Sequence, residues 1–163
     1  MKGYKDYLDT SELCTGKDGR LYVEVGGKNY FLAETNEFSV KMTVNSTTYQ
    51  GAGSMIEGTV PTGVNFKLTY TEAVIRDDLT MGPILAAIQD GSIPIYNFQG
   101  VINKPIGVGT EKIAFNNAIP NGEIDLMTVQ PGEVIKRAME FALNSIPKFI
   151  QKMSARNNYG YTK

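Results

Sequence analysis

The sequence predicts a mainly β domain, an antiparallel sandwich or barrel with one flanking α-helix and a long Gly-rich loop. Three observations carry this. Apolar and polar residues alternate strictly in several short runs, as in "FSVKMTV" and "VNFKLTY", which is the period of a strand with one buried face. Gly, Pro and Asn cluster between those runs and supply turns. A single stretch, "DDLTMGPILAAIQDG", carries helical spacing with start and stop signals.

Taken in order, "GKDGRLYVEVGGKNYFLAE" predicts a hairpin. Leu21, Val23 and Val25 alternate with Tyr22 and Glu24, Gly26-Gly27 turns the chain, and "YFLAE" returns. "EFSVKMTV" places Phe38, Val40, Met42 and Val44 on one face and Ser39, Lys41 and Thr43 on the other. Residues 45–63, "NSTTYQGAGSMIEGTVPTG", show no clean period and predict a long loop that orders against a partner. The loop's "GAGSMIEG" lacks the Gly-Lys-Ser/Thr ending of a phosphate cradle, and no helix follows it. Val64, Phe66, Leu68 and Tyr70 then alternate with Asn65, Lys67, Thr69 and Thr71.

In the helix, Asp77, Asp78 and Thr80 are expected to cap the N-terminus. Leu79, Pro83, Ile84, Leu85 and Ile88 form an apolar stripe, and Asp90-Gly91 ends it. Gly82-Pro83 weakens the first turn, so the helix is expected to start near Pro83. Strands are predicted at "IPIYNFQGVINK", "EKIAFNNAI" and "EIDLMTV", with turns at "PIGVGT", "PNG" and "QPGE". The total is roughly eight strands and one helix in a single domain. "KRAMEFALNSIPKF" reads two ways. Ile135, Met139, Ala142, Ile146 and Phe149 make a helical stripe, whereas Met139, Phe141 and Leu143 alternate as a strand. Pro147 opposes a helix continuing to Phe149.

Composition narrows the function. At 163 residues and 42% apolar content the chain can build a core and is not a disordered one. The N-terminus has no apolar run of the secretory kind, and "PILAAI" is far too short to span a membrane. The expectation is a soluble protein made in a cytoplasm. A lone Cys14 excludes an internal disulfide. The absence of histidine removes the commonest general base and metal ligand. No pair of carboxylates stands out as catalytic. No catalytic residue, cofactor or metal is therefore expected, and no enzyme. Residues 13–135 carry 8 basic and 13 acidic side chains, net −5, and residues 136–163 carry 6 basic and 1 acidic, net +5. An acidic body is unlike a nucleic-acid clamp. Lys136, Arg137, Lys148, Lys152, Arg156 and Lys163 read as a solvated basic end or as a contact for an acidic neighbour.

Several stretches together resemble one family. They are "TGKDGRLYVEVGGK", the Gly-rich loop feeding "VNFKLTYTEAV", the helix "DDLTMGPILAAIQDG", and "IYNFQGVINKPIGVGTEKIAFNNAIPNGEIDLMTVQPGE". Their order and spacing are similar to the tail tube (core) proteins of contractile-tailed phages, defective prophages and R-type, phage-tail-like bacteriocins. The resemblance covers about residues 15–150. It implies a tail tube β domain there, an N-terminal arm over 1–14 and a basic C-terminal tail over 151–163. It tips 134–145 to a strand ending before Pro147.

The resemblance also implies hexameric rings that self-assemble into a hollow tube. The partners would be other copies of the chain, the tail sheath, the baseplate and the tape-measure protein. DNA would pass through without sequence-specific binding. The location would be a virion or extracellular tail-like particle, assembled in a bacterial cytoplasm. Expected contacts between subunits or rings are Tyr49, Gly51, Gly53, Met55, Ile56, Val60, Lys148, Lys152 and Arg156. Ser39, Lys41, Thr43, Lys67, Thr69 and Thr71 are candidates to face the lumen, which like charge and a wet face would keep from binding DNA. The competing reading is a monomeric β-barrel binding module, or another tail or baseplate component.

Overall fold

A computed structural model describes residue 14 and residues 19–25, 27–32, 35–72, 75–103 and 109–153. The described strands are β1 (Gly19–Val25), β2 (Lys28–Phe31), β3 (Thr35–Tyr49), β4 (Gly58–Glu72), β5 (Tyr96–Asn103), β6 (Thr110–Pro120), β7 (Arg137–Leu143) and β8 (Lys148–Gln151). The helix α1 spans Met81–Gln89. One antiparallel sheet holds them in the order β2-β1-β5-β6-β7-β4-β3, and β8 also pairs with β6.

Alternation builds the core as expected. Leu21 and Val23 of β1, Phe98 of β5, Phe115 of β6, Met139 and Phe141 of β7, and Leu68 and Tyr70 of β4 point to one side and are buried. The sheet curls, so that Phe38 of β3 approaches Gly100 of β5. Aromatic rings fill the centre: Phe141 lies edge-on to Phe98 at 5.1 Å and stacks with Tyr70 at 5.9 Å between centroids. Helix α1 closes this side with Met81 and Ile84, leaving Leu85 and Ile88 exposed.

The ambiguous segment is a strand. β7 pairs with β4 from Phe66↔Leu143 to Glu72↔Arg137, and it ends before Pro147 as expected. Beyond the proline the chain makes one more short strand, β8, against Lys112–Ala114 of β6. β6 can serve β7 and β8 because a bulge at Asn116-Asn117 redirects it. Asn117 adopts φ 56°, its N–H donates to Asn97 Oδ1 at 3.2 Å, and Ser145 Oγ donates to the Asn116 carbonyl at 2.8 Å.

Four expectations are corrected. Residues 45–63 are not one long loop. β3 runs on to Tyr49 and β4 starts at Gly58, paired through Tyr49↔Gly58, so only residues 50–57 connect them. The result is a two-stranded ribbon that leaves the body near Met42, which is 63% exposed. Both faces of the ribbon are wet, so no polar–apolar alternation marks it, while Thr47, Thr48, Thr59 and Val60 still favour extended backbone. A register shift leaves Thr62 without a cross-strand partner beside Pro61, which accommodates a residue that cannot donate to the ladder.

"EIDLMTV" is not a strand. Asn121 and Asp125 donate backbone N–H groups to Glu140 and Ala138, but Leu126, Met127 and Val129 are exposed. The "QPGE" turn does form, with Glu133 N–H on the Gln130 carbonyl at 3.2 Å and Gly132 at φ 82°. "PIGVGT" falls largely outside the described residues.

The expected helix caps are used otherwise. Thr80 makes no side-chain cap; its hydroxyl donates to Glu72 Oε1 at 3.0 Å. Asp78 pairs with Arg76 and Asp77 with Arg137. The helix starts at Met81, two residues before Pro83. Finally, Arg137 does not belong to a solvated basic end. It is buried, because its strand phase puts it in line with Met139, Phe141 and Leu143.

Candidate functional site

Residues that alternate with the core occupy the opposite face of the sheet. Antiparallel pairing sets Ser39 beside Thr69, Lys41 beside Lys67, Thr43 beside Asn65 and Thr71 beside Glu37. On the other side of β4, Thr69 meets Glu140 and Thr71 meets Ala138. All six residues expected on a wet face are therefore together, and none is buried. Lys67 Nζ sits 2.8 Å from Glu140 Oε1. A shallow groove of about 360 Å³ runs over this face, lined by Glu37, Ser39, Lys41, Thr71, Glu123 and Glu140 among others.

The second surface is the ribbon. Its connection is folded by its own polar groups: Ser54 N–H donates to the Gly51 carbonyl at 3.1 Å with Gly53 at φ 80°. Gln50 Nε2 donates to the Ser54 carbonyl at 2.8 Å. A positive φ at the third turn position is what Gly53 permits. This turn holds Met55 and Ile56 out at the tip, 98% and 80% exposed, with Tyr49 and Val60 on the flanking strands also exposed. Of the basic candidates, Lys148 and Lys152 are exposed on and after β8, and Lys152 Nζ lies 5.7 Å from the Phe149 ring. Arg156 lies outside the described residues.

Two features escaped sequence reasoning. One is the buried ion cluster beneath α1. Arg137 Nη2 and Nε hold Glu72 Oε2, and Arg137 Nη1 holds Asp77 Oδ1 at 2.8 Å. Tyr96 donates its hydroxyl to the Thr80 carbonyl at 2.9 Å. Burial works against the Arg137 charge, but the bonds to Asp77 and Glu72 outweigh it and hold its pKa above the ordinary value. The available signal was an Arg in phase with inward residues of an alternating strand. The other is the exposed apolar segment 126–136, whose apolar residues read as a strand. Among the described residues no cluster of His, Cys, Asp or Glu could hold a metal. No described helix is long and apolar enough to cross a membrane.

A curled antiparallel sheet with one packed face, one polar face, a flanking helix and a projecting ribbon is the fold of tail tube subunits. Three solved structures are similar. A chain of the anti-feeding prophage baseplate aligns with TM-score 0.60 and 10% identity, covering 81% of this chain and 91% of that one. A chain of the native gene transfer agent virion gives 0.57 and 16%, covering 83% and 97%. A chain of the sheath–tube complex of an extracellular contractile injection system, in its extended state, gives 0.55 and 14%, covering 80% and 89%. None of the curated proteins compared with the chain matches it. The chain belongs to the phage tail tube protein family, whose model matches residues 6–146. Its function is that of a structural tail tube subunit.

Proposed function

We propose that six copies of the chain form a ring, and that rings stack into the hollow inner tube of a contractile phage or phage-like tail. The polar sheet face carries this reading. Ser39, Lys41, Thr43, Lys67, Thr69 and Thr71 share one surface, directly behind the packed core, and there they line the lumen. The net −5 of residues 13–135 repels a polyanion, so DNA passes without being held. The outer edges of β2 and β3 end the sheet in a single copy, and neighbouring subunits cover them.

Residues 15–150 form the tube domain, and 1–14 and 151–163 are arms. Tyr49, Gly51, Gly53, Met55, Ile56, Val60, Lys148, Lys152 and Arg156 make contacts between subunits and rings. The role is non-catalytic. The partners are other copies, the sheath, the baseplate and the tape-measure protein, in a virion or extracellular tail-like particle assembled in a bacterial cytoplasm. Solved relatives in a sheath–tube complex and a baseplate support this setting.

Negative-stain electron microscopy of the concentrated protein, viewed end-on, tests it. Hollow six-fold rings or tubes are expected. A chain that stays monomeric even with nucleating baseplate proteins overturns the reading.

A further inference from the structure

Two apolar surfaces lie at opposite ends of the long strand β4. One is the ribbon tip next to Gly58, with Met55 and Ile56 almost bare. The other is segment 126–136 at the base. It departs from Asp125, whose N–H donates to Ala138 at 3.3 Å, and it rejoins the sheet at Arg137, opposite Glu72 at the far end of β4. The 15 residues of β4 span roughly 50 Å at the rise of a strand. The base segment exposes Leu126, Met127, Val129, Val134 and Ile135, with Met127 86% exposed.

We propose that Met55 and Ile56 at the ribbon tip of one copy dock on segment 126–136 of a second copy in the next ring. The inference rests on the tube reading above and names the surface that stacks one ring on another. Three observations select a second copy as the occupant. Residues 50–56 and 126–132 contain no charged side chain, so the contact desolvates no ion. The two surfaces differ and sit at opposite ends, so their pairing is heterologous and repeats without limit, as a tube requires; a tip-to-tip contact would close after two rings.

The area also fits. Four tip side chains against five at the base, at roughly 100 Å² each, bury about 400–500 Å² a side, short of the ~800 Å² of a stable pair. Single copies therefore do not pair through this contact. Six such contacts between two rings act together and hold. Met at both surfaces adapts to the fit.

The test uses two double variants under conditions where the parent protein forms tubes. Met55→Asp with Ile56→Asp spoils the tip, and Leu126→Asp with Met127→Asp spoils the base. All four positions are exposed, and circular dichroism verifies the fold. Each variant alone is expected to stop at unstacked rings in negative stain. Mixed, they are expected to give pairs of rings and nothing longer, because one intact tip face meets one intact base face once.

Cross-linking is a second measurement. In a Cys14→Ser background, Met55→Cys and Met127→Cys chains are expected to form a disulfide-linked dimer only in mixed tubes. Tubes from either Asp variant, mixtures without ring pairs, or dimers of Met55→Cys alone would overturn the docking and leave the tube reading standing. A parent chain that forms no ring or tube overturns both.

Discussion

Arg137 Nη2 lies 2.9 Å from Glu72 Oε2, with the two side chains 4% and 3% exposed. The pair joins adjacent strands at the base of the sheet. Through Asp77 and Thr80 it also ties the approach to α1 onto β4 and β7. Two charges removed from water remain tolerable only while they keep each other and their hydrogen bonds.

Removing one partner strands the other. Arg137→Met should lower unfolding free energy by about 3–5 kcal/mol, measured by urea denaturation of the monomer. Pairing it with Glu72→Gln should recover part of that loss, which a double-mutant cycle would read as coupling.

Tyr96 gives a pH signature. Burial pushes its pKa from the ordinary 10.0 up to about 12, so the fold holds the neutral phenol. Its stabilising effect is complete below pH 10 and is lost as pH rises from about 10 to about 12, where the unfolded chain ionises first. Tyr70 shifts in the same direction, first by burial and then by the nearby Glu72. Thermal melts across this range should show the decline. In Tyr96→Phe the decline should be shallower, with a loss of about 1 kcal/mol at neutral pH for the bond to Thr80.

The Tyr70 hydroxyl is buried with no hydrogen-bond partner among the described residues. Tyr70→Phe keeps the ring stacked on Phe141 and removes an unsatisfied polar atom. Its melting midpoint should equal or exceed the parent's, by up to about 1 kcal/mol in stability. A clear loss would mean that the hydroxyl has a partner.

Gly122 adopts φ 78°, and a Cβ there would stand 2.7 Å from Glu140 Oε1. Gly122→Ala should therefore strain the backbone and push Glu140 off Lys67, costing about 1–3 kcal/mol. Most of that is backbone and contact strain, since the half-exposed ion pair contributes at most about 1 kcal/mol. Glu140→Ala in the same background should relieve the clash and leave only the φ term.

The ribbon beyond Val44 contributes nothing to the core cluster. Replacing residues 46–62 with a two-residue Asn-Gly turn should leave a folded monomer with a melting point within a few degrees of the parent. The same chain should form no stacked tubes, as size-exclusion chromatography and electron microscopy would show.

Much of the body was legible because its strands have one packed and one wet face. The alternation of Leu68 and Tyr70 with Lys67 and Thr69 is a direct imprint of that geometry. The same rule concealed the ribbon, where both faces meet water and Ser46–Tyr49 carry no period. It produced a false strand at Ile124–Val129, where apolar residues stand outside rather than within. Arg137 was grouped with its sequence neighbours by charge, although its strand phase placed it with Met139 and Phe141.

By itself the sequence determined the fold class, the pairing of a wet face with a packed one, the strand reading of β7 and the family resemblance. Each depends on local order and periodicity, which a chain carries along its length. Tertiary structure decided which residues meet across that length: Arg137 with Glu72 and Asp77, β8 with β6, and the ribbon tip at one end with segment 126–136 at the other. These are distances in space between residues far apart in sequence, and only the register and curl of the sheet set them.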